Sequence, residues 1–176
     1  MDERARILIV EPDRNYLGVL SRRLSDEGFR VTAADSAAGA VAELHRLPVE
    51  LVLAELNMKP TSGAELAWMI RGEIQWRDLP IMLITGKSKP ADAVRAYQAG
   101  ADDVVLKPFH FEVLVARIES RLARVRAIKS LQADNATLDA RVVERAILLG
   151  ELKNQLAAAE AECRRLETIV HSQRSR

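Results

Sequence analysis

The stretch "AGADDVVLKPF", Ala99–Phe109, decides the fold of this chain. Gly100 stands where a helical pattern ends, a position that favours glycine because left-handed backbone angles cost it little. The run "DVVL" (Asp103–Leu106) then reads as a short buried strand, and Lys107 follows directly at its end. A helix end, a buried strand and a strand-end lysine in this order predict one unit of a parallel α/β sheet.

The chain before this stretch repeats the same alternation of short apolar runs and helical patterns. Apolar residues recur at helical spacing between the runs, as at Tyr16, Leu17, Leu20 and Leu24. Continuous apolar strands alternating with helices predict a parallel sheet covered on both faces, with functional groups at the carboxyl ends of its strands. The four earlier runs are "RILIV" (Arg6–Val10), "RVTAA" (Arg30–Ala34), "LVLA" (Leu51–Ala54) and "IMLIT" (Ile81–Thr85).

The composition changes from about Arg124 onward, where proline is absent, glycine occurs once and Ala, Leu, Glu and Arg dominate. That composition predicts helix, so we divide the chain into an α/β domain over 1–124 and a long helix over 125–176. An apolar heptad that only Arg145 and a polar Asn135 interrupt favours a coiled coil and a homodimer. A helix folded back on its own domain, or frayed when alone, is the alternative, and the orientation of the coil stays open. The predicted seam comprises Ile128, Leu131, Asn135, Leu138, Val142, Leu149, Leu152, Leu156 and Leu166.

Composition and charge argue against several classes of function. The chain has 176 residues, 48% of them apolar, and a net charge of +1, which gives no reason to expect membrane or nucleic-acid binding. The basic stretch Arg117–Lys129 belongs in part to a helix that must cover the sheet, so we expect no nucleic-acid partner. A single cysteine, Cys163, and scattered histidines predict no disulfide or metal cluster. Without a leader or membrane span we expect a cytoplasmic protein. We expect Trp68 and Trp76 to be packing residues.

Polar side chains gather at the predicted strand ends. Glu11 and Asp13 follow the first strand, Glu55 the third, Thr85 ends the fourth and Lys107 follows the fifth. Carboxylates that hold Mg²⁺, together with a lysine and a hydroxyl that bind phosphate oxygens, would form a pocket for a phosphoryl group. Taken singly, each residue has a simpler explanation as a helix cap or an ion-pair partner, so the recurrence at several strand ends carries the prediction.

These motifs resemble the receiver domain of two-component response regulators. The resemblance covers about Arg4 to Arg124 and rests on "ILIVEPD", "LVLAELNM", "PIMLITG" and above all "AGADDVVLKPF". It implies a flavodoxin-like sheet of five parallel strands in the order 2-1-3-4-5, flanked by helices. In this chain the long helix would follow that domain.

The resemblance also assigns roles to individual positions. Glu11 matches the first acid of a Mg²⁺-binding pair, and Glu55 stands where the family has its phosphorylated aspartate. Thr85 matches the switch hydroxyl, Lys107 the phosphate-binding lysine, and Asn57 the residue whose backbone carbonyl helps to bind the metal. These roles are expectations carried over from the family pattern.

Several positions depart from that pattern. Pro12 replaces a metal-binding acid, Glu55 replaces the phosphoacceptor aspartate, Val104 replaces the switching aromatic, and Lys59 replaces a proline four residues after the acceptor. Because Mg²⁺ needs oxygen ligands in tight octahedral geometry, the loss of a carboxylate weakens its site. The departures together predict a pseudo-receiver without a cofactor.

Two roles remain open for Glu55. One extra methylene moves its carboxylate about 1.5 Å further into the pocket, so Glu55 either imitates a phosphoryl group by pairing with Lys107 or is an inert acid that forms a salt bridge with Lys107. We expect a non-enzymatic signalling adaptor without an output domain, acting on itself as a homodimer and on a histidine kinase or another regulator. The alternative is a phosphorelay protein with Glu55 as an unusual acceptor, which would require Mg²⁺.

Overall fold

The structure is a computed structural model that describes residues 4–86 and 90–174, with side chains described as far as Arg165. It comprises two compact units, Met1–Ala127 and Ile128–Arg176. Within the described residues, no helix combines the length and the apolar character that crossing a bilayer requires.

The first unit contains a five-stranded parallel sheet in the order β2-β1-β3-β4-β5. This confirms the predicted fold and strand order. Glu55 is the last residue of its strand, one residue beyond the predicted run. The strands are β1 (Arg6–Val10), β2 (Arg30–Ala34), β3 (Leu51–Glu55), β4 (Ile81–Thr85) and β5 (Asp103–Leu106).

Within residues 4–86 and 90–174, five α-helices connect and follow the strands, and local sequence signals set several of their ends. The side chains of Asp13, Ser36 and Ser62 cap helix N-termini by accepting backbone N–H bonds. Gly28 and Gly100 follow helix ends with φ of 90° and 99°, backbone angles that favour glycine. The helices are α1 (Arg14–Asp26), α2 (Ala37–Arg46), α3 (Gly63–Gly72), α4 (Pro90–Gln98) and α5 (Phe111–Arg174), with a 3₁₀ turn at Ile74–Trp76.

Alternation along the strands divides the buried residues into two cores, one on each face of the sheet. Leu8 on β1 faces α2, α3 and α4, whereas its neighbour Ile9 faces α1 and the first part of α5. On the second face, Leu114 and Ile118 of α5 are fully buried, as a helix that covers the sheet requires. Both faces of β1, β3 and β4 are therefore apolar, which is why their sequences read as continuous apolar runs.

The stretch that decided the fold is fixed by an arginine on α3. Arg71 donates from Nε to the Gly100 carbonyl at 3.0 Å and from Nη2 to the Asp102 carboxylate at 2.8 Å. Asp102 also accepts from the backbone N–H of Ile81 at 2.8 Å, which ties the start of β5 to the start of β4. Asp103, at the first position of β5, pairs with Arg117 of α5 at 3.1 Å. The two adjacent aspartates therefore bind opposite layers of helices.

The expectation for the two tryptophans is half correct. Trp76 packs at the edge of the core that faces α2, and its ring meets His45 edge-on with centroids 4.7 Å apart. Trp68 is 71% exposed on α3, so the prediction that it packs inside was wrong. The residues of α3 that cover the sheet are Leu66, Ala67 and Ile70, which puts Trp68 on the outer face of the helix.

Gly63 holds the start of α3 directly against the end of β3. A Cβ atom at this position would collide with the backbone carbonyl oxygen of Glu55 and would meet Leu56 Cα at 3.0 Å. Backbone atoms cannot move aside as a flexible side chain can, so only glycine permits this approach. The strand end that carries Glu55 therefore depends on a residue eight positions further along the chain.

We predict that Gly63→Ala lowers the free energy of unfolding by about 1–3 kcal/mol, because the added methyl group displaces backbone. The matched control is Gly18→Ala, since nothing lies within 4 Å of a Cβ at this exposed site in α1. Removing that helical glycine should raise stability by about 0.5–1 kcal/mol. Urea unfolding of the three proteins measures both changes, and equal effects of the two substitutions would contradict the close contact at Gly63.

Candidate functional site

The sheet register brings the strand-end residues to one edge. Val10 aligns with Ala54 across β1 and β3, Glu55 with Ile84, and Thr85 with Leu106. Because all strands are parallel, the side chains that follow their carboxyl ends meet there. The structure thus places Glu11, Glu55, Thr85 and Lys107 together, at the position in the fold where ligands of open α/β sheets bind.

Lys107 lies between the two glutamates. Its Nζ donates to Glu55 Oε2 at 2.8 Å and to Glu11 Oε2 at 3.1 Å. The side chains of Glu11 and Glu55 are only 8% and 11% exposed, and that of Lys107 is 26% exposed. Carboxylates this deeply buried need a compensating cation, and Lys107 supplies it for both.

The second oxygen of each glutamate binds backbone. Glu11 Oε1 accepts the N–H of Asp13 at 3.1 Å, and Glu55 Oε1 accepts the N–H of Asn57 at 3.0 Å. Each acid therefore uses one oxygen for Lys107 and the other for the amide two residues further along the chain. This local bond holds both carboxylates in place as the chain leaves the strand.

The Tyr16 ring covers Lys107 from α1, with Nζ 4.0 Å from its centroid. Burial alone would lower the pKa of Lys107, but the hydrogen bonds and charges of Glu55 and Glu11 outweigh it, so this pKa lies above its usual value. Burial raises the pKa of the Tyr16 hydroxyl. Sequence reasoning used Tyr16 only as an apolar position of α1. Tyr16 lies three residues after the cap of α1, on the helical turn nearest the strand ends. This position was the signal from which its role in the pocket could have been predicted.

The hydroxyl and amide of the pocket pair with each other. Thr85 is fully buried, and its Oγ1 accepts from Asn57 Nδ2 at 2.9 Å. The side chain of Asn57 thus contacts the residue at the family's switch position, while its backbone N–H binds Glu55. The resemblance assigned Asn57 a metal-binding role through its backbone carbonyl, and this side-chain contact is an addition to it.

The remaining predicted positions lie around this group. Asp13 is exposed, and its carboxylate caps α1 by accepting from the N–H groups of Asn15 and Tyr16 at 2.9 and 3.2 Å. Pro12 and Lys59 are exposed, and Val104 is half-buried against the core that faces α2. Asp13 therefore caps the start of α1 and does not take the place of the acid that Pro12 replaces.

The residues present do not fit a magnesium ion. Pro12 offers no side-chain ligand, and the Lys107 ammonium already occupies the space between the Glu11 and Glu55 carboxylates. An octahedral cation at the same place would have to displace that ammonium from both acids. Among the described residues, no group of three or more His, Cys, Asp and Glu side chains is arranged to hold a metal.

A buried lysine paired with strand-end acids, at the carboxyl edge of a 2-1-3-4-5 sheet, defines a signal-receiver class of α/β protein. The family model for the response regulator receiver domain matches residues 7–119. The chain belongs to this family, whose domains act in two-component signalling.

Curated relatives agree with this assignment. The sensory transduction protein BceR of Halalkalibacterium halodurans is 32% identical over 132 residues, 75% of this chain and 56% of its own length. A probable cyclic di-GMP phosphodiesterase of Vibrio cholerae is 30% identical over 168 residues, 94% of this chain and 38% of its own length. The chain spans about half the length of the curated relatives it matches, or less.

Solved structures share the fold. The receiver domain of a histidine kinase from Syntrophus aciditrophicus superposes with a TM-score of 0.65 at 29% identity, over 69% of this chain and 92% of the other. A CheY-like receiver domain from Methanospirillum hungatei gives a TM-score of 0.67 at 25% identity, over 71% and 98%. Both matches cover a share of the chain comparable to the receiver region.

The second unit carries the predicted seam on an exposed helix. Seven of its apolar side chains are between 47% and 65% exposed, whereas Leu166 lies outside the residues whose side chains are described. The heptad prediction missed three further exposed apolar residues in the middle of the helix, Val143, Ile147 and Leu148. The exposed seam residues are Ile128, Leu131, Leu138, Val142, Leu149, Leu152 and Leu156.

The raised pKa of Lys107 predicts how stability depends on pH. A lysine whose folded pKa exceeds its unfolded value of 10.5 stabilises the fold fully below that pH and loses this contribution as pH rises through the folded pKa. Lys107→Met should cost about 2–4 kcal/mol at neutral pH, because it leaves two buried acids without their cation. The difference in unfolding free energy between wild type and Lys107→Met should then narrow from about pH 10.5 upward.

Urea unfolding across neutral to alkaline pH measures that difference. Arg14→Met is the control, because it removes an exposed ion pair with Asp35 at 3.5 Å. Its difference from wild type should stay small throughout. A constant difference for Lys107→Met across the alkaline range would refute the link between the ion pair and stability.

Proposed function

We propose that this receiver domain works without phosphorylation, as a signalling adaptor that acts through protein–protein contacts. The observation that carries the proposal is the Lys107 ammonium, which binds Glu55 Oε2 at 2.8 Å and Glu11 Oε2 at 3.1 Å. In the family pattern the lysine serves an arriving phosphoryl group. In this chain Lys107 is already paired with the carboxylates of Glu55 and Glu11.

The position of Glu55 supports the same conclusion. Both of its oxygens are engaged, one by Lys107 and the other by the N–H of Asn57. Attack on a phosphodonor needs a free carboxylate oxygen in line with the leaving group and a metal to neutralise charge. The arrangement favours a permanent charge pair over a nucleophile. Glu55 then either imitates an aspartyl phosphate in part, with one negative charge in place of roughly two, or only neutralises Lys107.

The second part of the proposal is homodimerisation through the helix from Ile128 onward. Leu149, Leu152 and Leu156 are 57%, 51% and 60% exposed in the single chain. Three large apolar residues at a, d and a positions of consecutive heptads are the pattern that a facing helix covers. Burying each leucine stabilises a dimer by roughly 1.5–3 kcal/mol, so the seam supplies enough free energy for self-association.

The comparisons suggest which partners to consider. The Vibrio cholerae relative, named a probable cyclic di-GMP phosphodiesterase, matches 94% of this chain within 38% of its own length. A match of that extent includes helix as well as receiver domain, so we propose that the two form one unit that combines with other signalling domains or proteins. A histidine kinase or another regulator in the cytoplasm is the proposed partner class.

The receiver unit offers a face for such a partner along α5. A recess of about 740 Å³ there is lined by Asp103, Arg117, Arg121 and neighbouring residues. Arg117 and Arg121 both lie near Asp103, at 3.1 and 3.8 Å, which fixes the two guanidinium groups on the rim. Fixed guanidinium groups beside a recess suit a partner that presents carboxylates.

Phosphorylation is tested by intact mass after incubation with Mg²⁺ and a small phosphodonor. Wild type and Glu55→Gln should gain no phosphoryl group, because neither the metal ligand nor a free acceptor oxygen is available. The double variant Pro12→Asp, Glu55→Asp should gain one, since it restores the family's acceptor and second acid. A phosphoryl group on wild type that Glu55→Gln lacks would instead establish the alternative function, a phosphorelay protein that uses Glu55 as acceptor.

Dimerisation is tested by analytical ultracentrifugation across a range of concentrations. Leu149→Asp should weaken self-association by about 100-fold or more, because each chain would bury a carboxylate in the seam. Ala158→Glu is the matched control, since this exposed residue occupies an outer heptad position and should change little. A wild-type protein that stays monomeric at every concentration would remove this part of the proposal and leave the pocket unaffected.

A further inference from the structure

The donor inventory of Lys107 leaves one direction for a further interaction. An ammonium group has three N–H donors and no acceptor. Two of the donors are used by Glu55 Oε2 at 2.8 Å and Glu11 Oε2 at 3.1 Å. The surroundings of the third N–H donor decide whether Lys107 can still bind an arriving anion.

The Tyr16 ring lies against the same ammonium group. Its centroid lies 4.0 Å from Nζ, well inside the distance of about 6 Å at which an aromatic face attracts a cation. Tyr16 and Lys107 also line a recess of about 480 Å³ with Phe109 and Phe111. The ring therefore lies at the rim through which water or an anion would reach the ammonium.

Sequence and local structure fix Tyr16 in this place. It belongs to the first turn of α1, and its backbone N–H binds the Asp13 carboxylate at 3.2 Å. Asp13 in turn donates its own N–H to Glu11 Oε1 at 3.1 Å. The cap of α1, one acid of the pocket and the ring over Lys107 thus form a single connected unit within six residues.

We infer that Tyr16 is a positioning residue that holds Lys107 on Glu11 and Glu55 and shields one side of the ammonium from anions in solvent. This rests on the proposed phosphorylation-independent function and names the residue that enforces it. Two carboxylates satisfy part of the cation, and the aromatic face satisfies the rest without a negative charge. Lys107, whose side chain is 26% exposed, then has three partners before any phosphoryl group arrives.

The test compares Tyr16→Phe and Tyr16→Leu in the full chain by NMR of the lysine side chains. The face of phenylalanine attracts a cation as tyrosine does, so Tyr16→Phe should keep the upfield ring-current displacement of the Lys107 methylene protons. Tyr16→Leu should abolish that displacement and speed the exchange of the Lys107 ammonium protons with water by about two- to fivefold. Tyr97→Leu, on the exposed surface of α4, is the matched control and should change neither signal.

A second readout uses the variant with a restored acceptor. Adding Tyr16→Leu to Pro12→Asp, Glu55→Asp should speed its phosphorylation by about two- to fivefold, because Lys107 is then free to turn toward the phosphoryl group. Tyr16→Phe in the same background should leave the rate unchanged. If the double variant is not phosphorylated at all, the exchange rate of the Lys107 ammonium protons alone tests the positioning role of Tyr16. If Tyr16→Leu does not fold, Tyr16→Met takes its place.

The outcomes separate this inference from the proposed function. Lys107 signals that are the same in Tyr16→Leu and wild type overturn the positioning role and leave the phosphorylation-independent function standing. Loss of the signals in Tyr16→Phe as well as Tyr16→Leu also overturns it, since the hydroxyl would then matter more than the ring. A phosphoryl group on wild-type Glu55 contradicts the proposed function whatever the Lys107 signals show.

Discussion

The pocket depends on one physical constraint, the neutralisation of two buried carboxylates. Glu11 and Glu55 are 8% and 11% exposed, and an isolated buried charge would cost several kcal/mol. A divalent metal ion can balance such a pair in full, whereas one cationic side chain offsets a single negative charge. In this protein both acids share the Lys107 ammonium, which follows the carboxyl end of the edge strand β5 and lies 52 and 96 residues away from them in sequence. The backbone N–H groups of Asp13 and Asn57 and the ring of Tyr16 contact these three groups, while the Asn57 side chain binds Thr85.

Those supporting contacts explain how the fold can persist while the chemistry of its pocket changes. Asp13 and Asn57 present backbone amides to the glutamates, and Gly63 lets α3 begin against the carbonyl of Glu55. The donors of these bonds and the close approach at Gly63 belong to the backbone, so they depend on the path of the chain at the ends of β1 and β3. The same geometry that would position a nucleophile here holds a fixed ion pair. The scaffold and the reaction are separable for this physical reason.

The second unit has a different physical character. The sheet buries its own apolar residues, whereas the helix from Ile128 onward leaves large apolar side chains about half exposed in the single chain. A long helix gains most of its stability from a packed apolar face. The proposed dimer would supply that face. The receiver unit is therefore complete in its own packing, and the helix is the part whose stability we expect to depend on association.

Sequence by itself determined the strands and the strand ends at which polar side chains gather, because burial on both faces makes parallel strands read as continuous apolar runs. The strand order followed from the resemblance of the motifs to the receiver family. The sequence also located Glu11, Glu55, Thr85 and Lys107, since strand ends share one edge in any such sheet. Sequence also predicted that Glu55 pairs with Lys107, whereas the tertiary structure decided the other partners of these groups. The pairing of Lys107 with both acids and the ring of Tyr16 over its ammonium depend on distances between elements far apart in the chain. Trp68 shows the same limit, because apolar character does not reveal which face of a helix meets the sheet.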